Sequence, residues 1–190
     1  MVVAPAARRS AVFDRPDGLG IVVPAKRNLL IMVFLLAWLG GWAFGEFSVL
    51  GELLRGREGP VPFLLFWLVG WTVGGAFAAF VFLWMLAGRE RITLRPRVLE
   101  IRREIFGLGS TREYDLTHVR NLRVSPTVHD PFGWTAAARF WGVGGGLVAF
   151  DYGAKAIRFA ASIDEPEAAQ VVKELKARYA FAPLTGRGDR

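Results

Sequence analysis

Few residues in this chain are of the types that do chemistry, and their spacing decides what they can do. The stretch RFWGVGGGLVAFDYG, residues 139–153, holds four glycines between Gly142 and Gly146. A phosphate-cradling loop needs Gly-x-x-x-x-Gly-Lys-Ser/Thr at the start of a helix, so that the lysine and the first amides reach phosphate. Here the run leads into Leu147-Val148-Ala149-Phe150, a strand-like segment, and no lysine follows until Lys155. A dinucleotide fingerprint fails for the same reason. The run is therefore read as an entry into a strand, with glycine supplying positive φ or close backbone approach. His129-Asp130 has no third ligand at useful spacing, and His118 falls in a turn before a strand. Asp115 and Asp151 lie beside arginines and read as ion-pair partners. With no cysteine in the chain, thiolate catalysis, cysteine zinc sites and iron–sulfur clusters are excluded. No nucleophile–base pair and no convergent carboxylates emerge, so the chain reads as a non-enzyme without metal or cofactor.

Two other groups of residues suit binding. Ser125 to Trp141 separates two strands by more than a hairpin needs, and loops of that length in small domains are often functional. It carries Phe132, Trp134, Phe140 and Trp141 beside Arg139. These can cover a barrel edge, dock on a membrane surface or hold a partner; they form the expected partner-binding set. Arg89, Arg91, Arg95 and Arg97 form the second group, suited to anionic lipid. The net charge of +7 is carried by arginines flanking apolar segments, which favours a membrane surface and leaves nucleic acid out of the expected partners.

The elements that must position these groups divide the chain. Hydrophobic residues make up 53% and mean hydropathy is +0.32, high for a soluble domain. Leu29 to Gly45 is free of charge and extends toward Leu50, and Gly59 to Gly88 is free of charge throughout. Crossing about 30 Å of hydrocarbon takes about 20 apolar residues, so both runs read as spans, about 28–50 and 62–88, forming a hairpin over 28–88. Cations crowd both flanks: Arg8, Arg9, Arg15, Lys26 and Arg27 before, Arg89 to Arg97 after. Arg55 and Arg57 in the connecting loop are outnumbered by Glu46, Glu52 and Glu58. The positive-inside rule then places both termini in the cytoplasm of a multi-pass inner-membrane protein. Small residues at four-residue spacing, Ala37, Gly41 and Gly45 in one run and Gly70, Gly74 and Ala78 in the other, form the expected helix-packing set, within the hairpin or in a homo-oligomer.

Beyond Gly88 the pattern alternates. In Val98 to Ile105, Leu99, Ile101 and Ile105 fall on one face and Val98, Glu100, Arg102 and Glu104 on the other. Arg91–Leu94, Thr111–Leu116, Val119–Val124, Leu147–Tyr152 and Ala156–Phe159 complete six strands. A helix follows, opened by a capping box at Ser162 to Glu165 and striped by Ala168, Val171, Val172, Leu175 and Tyr179. The expected fold is an α+β membrane protein. A cytoplasmic N-terminal segment, 1–27, precedes the hairpin. A small antiparallel barrel or sandwich capped by a C-terminal helix, 89–180, follows it, and a disordered tail spans 181–190.

Asp115 to Val124, Gly145 to Phe159 and Glu167 to Arg178, placed after two spans, resemble the bacterial two-helix integral membrane proteins that carry a C-terminal pleckstrin-homology-like domain, found in proteobacteria. The resemblance covers roughly residues 18 to 180 and implies a pleckstrin-homology-like fold, which serves lipid binding, peptide binding and assembly alike. The expected function is a non-catalytic adaptor or assembly protein at the cytoplasmic face of the inner membrane, meeting membrane lipids and a membrane-protein partner or a second copy. The alternative is an anionic-lipid-binding or lipid-sensing protein.

Overall fold

The computed structural model describes residues 10–16, 18–56, 61–125 and 146–181. The chain falls into two compact units, 27–86 on one hand and 1–26 with 87–190 on the other. The first unit is a pair of helices, α1 (Leu29–Leu54) and α2 (Val61–Ala87). Both are long and apolar enough to cross a membrane. The Asn28 side chain caps α1 by accepting from Ile31 N–H at 3.3 Å, and Gly56, at φ 66°, ends it in the left-handed conformation that residues with a Cβ avoid. Pro62 sits in the first turn of α2, where a missing N–H costs nothing.

The second unit is built from strands β1 (Ala11–Arg15), β2 (Gly18–Pro24), β3 (Gly88–Leu94), β4 (Val98–Ile105), β5 (Leu108–Asp115), β6 (Val119–Val124), β7 (Val148–Tyr152), β8 (Lys155–Phe159) and helix α3 (Glu165–Arg178). All pairings are antiparallel. The first five strands form one sheet in the order β1-β2-β3-β4-β5 and the last three a second sheet. Leu19, Ile21, Ile92, Leu99, Val119, Phe150 and Phe159, with Ala168, Val171 and Leu175 of α3, share one core. Inward residues recur every second position in β2, the period a strand with one buried face requires.

The architecture is α+β, and three features differ from what the sequence alone suggests. The sheets are open, five strands and three, and do not close into a barrel. The sheet does not start near residue 89. Ala11–Arg15 and Gly18–Pro24 supply two of its strands, Leu19 pairing with Leu94 and Pro24 with Arg89, so the helical hairpin is inserted between two neighbouring strands. The α3 cap is Asp164, not Ser162: its carboxylate accepts from Glu167 N–H at 2.9 Å, and Pro166 follows in the first turn. The expected tail lies outside the described residues except for Phe181.

Within the hairpin, two tryptophans clasp the helices. Trp42 Nε1 donates to the Trp71 carbonyl at 2.9 Å and Trp71 Nε1 to the Trp42 carbonyl at 3.3 Å. Each indole N–H thus finds a carbonyl acceptor on the facing helix. Gly75 makes this possible, since a Cβ there would lie 1.9 Å from the Trp42 ring. The Thr72 hydroxyl donates to Glu46 Oε1 at 2.6 Å, so Glu46 also ties the two helices.

Candidate functional site

Register decides which cations meet. In the β3–β4 pair, Arg89 stands opposite Glu104 and Arg91 opposite Arg102, all on the face turned away from Ile92 and Leu99. Arg89 Nε donates to Glu104 Oε1 at 2.5 Å and Arg102 Nε to Glu104 Oε2 at 2.8 Å, while Arg91 Nε forms an ion pair with Oε1 at 2.6 Å. Three guanidinium groups thus surround one carboxylate. Glu104 is 3% exposed, whereas the three arginine side chains are 34–40% exposed. Burial alone would raise the Glu104 carboxyl. Hydrogen bonds from Arg89 and Arg102 and the charges of Arg91 and Arg89 outweigh it and hold the group below its ordinary range. The cluster keeps surplus positive charge at the surface, a ready contact for an anion.

Of the expected lipid-binding set, the structure brings Arg89 and Arg91 together. Arg95 lies past the other end of β3, six residues and about 20 Å along the strand from Arg89, and Arg97 two residues further on. There Arg95 Nη2 pairs with Glu100 Oε2 at 3.1 Å. Arg102 takes the third place in the cluster. The cross-strand pairing with Arg91 selects it, and sequence spacing alone does not.

A second buried carboxylate, Glu90, points to the core side of the same strand. Glu90 Oε1 accepts from Arg103 Nε at 3.0 Å and Oε2 from the Ala160 N–H at 2.6 Å. Ala160 has φ 60°, a backbone conformation that residues with a Cβ seldom hold, and Glu90 stabilises it there. Gly146 passes close by; a Cβ on it would lie 1.8 Å from the Phe159 carbonyl oxygen. This last glycine of the run thus serves close backbone approach.

The outermost strands β5 and β8 flank a cleft of about 70 Å³ lined by Ile101, Arg103, Ser110, Arg112, Tyr114, Ile157 and Arg158. Arg103 is held by Glu90, but Arg112 and Arg158 form no ion pair among the described residues. On the second sheet, Asp151 accepts from Asn121 and from Arg123 at 2.9 Å, across an irregularity in the β6–β7 register. Burial tends to raise Asp151, and those bonds and the Arg123 charge lower it past that effect. Asp115 is lowered by the Thr117 hydroxyl and amide and stands 4.0 Å from His118, in an exposed turn. Both aspartates are therefore partners in local polar structure.

The expected partner-binding residues Phe132, Trp134, Arg139, Phe140 and Trp141, and the His129-Asp130 pair, lie outside the described residues. Of the expected helix-packing set, Gly45 approaches the Trp71 ring at 3.5 Å from its Cβ position, while Gly41, Gly70 and Gly74 meet nothing within 4 Å. Among the described residues no cluster of three or more His, Asp or Glu side chains is placed to hold a metal ion. Comparison with models of known families, with curated proteins and with solved structures found no match.

Proposed function

We propose that this chain is a non-catalytic inner-membrane protein in which a two-helix anchor presents a pleckstrin-homology-like domain as an adaptor or assembly module at the cytoplasmic face. The observation that carries the reading is the cleft between β5 and β8. It joins two strands at the ends of their sheets, apolar lining from Ile101 and Ile157, and two arginines that have no acidic partner among the described residues. An extended segment bearing acidic side chains meets both requirements, backbone at a sheet edge and carboxylate at arginine. The insertion of the hairpin between β2 and β3 supports the topology. Because residues 19–24 pair with β3, the two flanks of the hairpin belong on one side of any membrane it crosses, and the cation excess on those flanks favours the cytoplasmic side. The aromatic set Phe132, Trp134, Arg139, Phe140 and Trp141 is the second contact assigned to the partner.

The test is extraction of the full chain from its membrane in a polymer that retains lipid, beside the R112E/R158E variant. A stoichiometric protein companion that the variant loses is the expected result. A companion retained in full by the variant, or none in either sample, contradicts the assignment. A second reading, anionic-lipid binding, is favoured by the surplus charge of Arg89, Arg91 and Arg102 around Glu104. It predicts enrichment of anionic lipid in the same extract with salt-dependent retention.

A further inference from the structure

The turn that joins β4 to β5 breaks two rules of soluble hairpins at once. It is a two-residue loop, Phe106-Gly107, with φ 51° and 86°. Two-residue turns with both central φ positive favour Asn-Gly, Asp-Gly or Gly-Gly, because a bulky side chain is strained in that conformation. Here the first position holds phenylalanine. Phe106 is 66% exposed and the neighbouring Leu108 81% exposed, so neither is repaid by packing within the domain. Elsewhere in this unit the large apolar side chains turn inward; among the described residues 10–26 and 87–181, these two are the large apolar side chains that stand out in the open.

Their position in the sheet supplies the reason. The chain leaves the domain for α1 after Pro24 and returns from α2 at Gly88 without a linker, and the Ala25 N–H donates to the Gly88 carbonyl at 2.9 Å. Both crossings are therefore at one end of the sheet. Gly88 pairs with Ile105, and Ile105 with Leu108. Two strand spacings, about 10 Å, separate the tip from Gly88, the first residue of β3. The same end carries the arginine cluster, and Arg102 Nη2 donates to the Gly107 carbonyl at 2.8 Å, fixing the turn to the cationic group. Apolar residues at the extremity with arginines one step behind match the order of a bilayer surface, acyl chains below and phosphate groups above.

We infer that Phe106 and Leu108 form a wedge that enters the acyl boundary of the same bilayer the hairpin crosses, with Arg89, Arg91 and Arg102 at its phosphate level. The wedge rests on the reading of α1 and α2 as membrane spans. It adds a third attachment point to the domain's two covalent ones.

The chain has no cysteine, so single sites can be labelled cleanly. The full chain, reconstituted in phosphatidylethanolamine/phosphatidylglycerol nanodiscs with brominated acyl chains, is labelled with a polarity-sensitive fluorophore at Leu108→Cys, at Leu36→Cys within α1, or at Arg97→Cys at the far end of β3. The Leu108 site should show blue-shifted emission and acyl-chain quenching of the same order as the Leu36 site, and the Arg97 site neither. Adding Phe106→Asn, which suits the turn and preserves the fold, should remove most of the quenching at Leu108. Quenching at Leu36 with a water-like signal at Leu108 overturns the wedge alone. A blue shift at Leu108 without acyl-chain quenching assigns the tip to a protein contact and also overturns it. Loss of quenching at both sites overturns the membrane reading of the hairpin, and the wedge with it.

Discussion

Phenylalanine behaves oppositely in the two units. In the strand unit Phe150 and Phe159 are fully buried, ring against ring at 6.0 Å, whereas in the hairpin Phe44 and Phe66 are 77% and 80% exposed. The strand unit folds by removing apolar area from water. The hairpin leaves its large apolar side chains outward, and its helices are joined by two reciprocal indole–carbonyl bonds, a glycine that seats a tryptophan and one carboxylate–hydroxyl pair. That is the balance expected where no hydrophobic drive exists between helices. The comparison also isolates the tip at Phe106 and Leu108, which sits in the strand unit but is exposed like the hairpin.

Several substitutions and a change of pH bear on that contrast. Phe150→Ala removes a ring packed against Tyr114 and Phe159 and should destabilise the strand unit by about 3–5 kcal/mol, read by chemical denaturation in detergent. Phe66→Ala should leave that transition unmoved, and equal losses from the two would erase the contrast. Gly75→Leu forces the Trp42 ring out of its seat and should weaken the helix pair by about 1–3 kcal/mol, seen as exposure of Trp42 to an aqueous quencher. Phe106→Asn should act in the other direction, stabilising the strand unit in detergent by about 1 kcal/mol through relief at a positive φ. The smallest effect belongs to pH. The folded Glu104 carboxyl is held below its ordinary value of 4.5, so its contribution is complete above that pH and lost as pH falls through the lowered folded value. Melting temperature should therefore drop in that acidic range for the native chain and less steeply for Glu104→Gln.

What could be read from the residues alone follows the range of the forces involved. Continuous apolar runs announce the two long helices, and alternation announces β4, because both signals are local. The pairing of Leu19 with Leu94 is not local: the hairpin lies between them. Asp14, Arg15, Lys26 and Arg27 read as charges flanking a span, although Arg15-Pro16-Asp17-Gly18 followed by Leu19, Ile21 and Val23 carries the turn and the period of a strand hairpin. A Cβ at Gly18 would lie 1.9 Å from the Leu94 carbonyl oxygen, so that glycine is required by a strand distant in sequence. Alternation places Glu104 on the face opposite Leu99 and Ile101, and the strand register keeps it there. Its burial comes from arginines on β3 and from Arg102 two residues away, side chains that alternation does not count. Glu90 left no mark at all, since its amide partner, Ala160, is seventy residues on.

The central proposal is that the hairpin inserted in sequence between β2 and β3 crosses the membrane twice. Single cysteines at Ala11 in β1, Thr111 in β5 and Arg55 after α1, probed with a membrane-impermeant thiol reagent in intact cells and in inverted vesicles, test it most directly. The account predicts that the Ala11 and Thr111 sites react only in inverted vesicles and the Arg55 site only in intact cells. Reaction of the Ala11 and Thr111 sites from opposite sides of the membrane would contradict it.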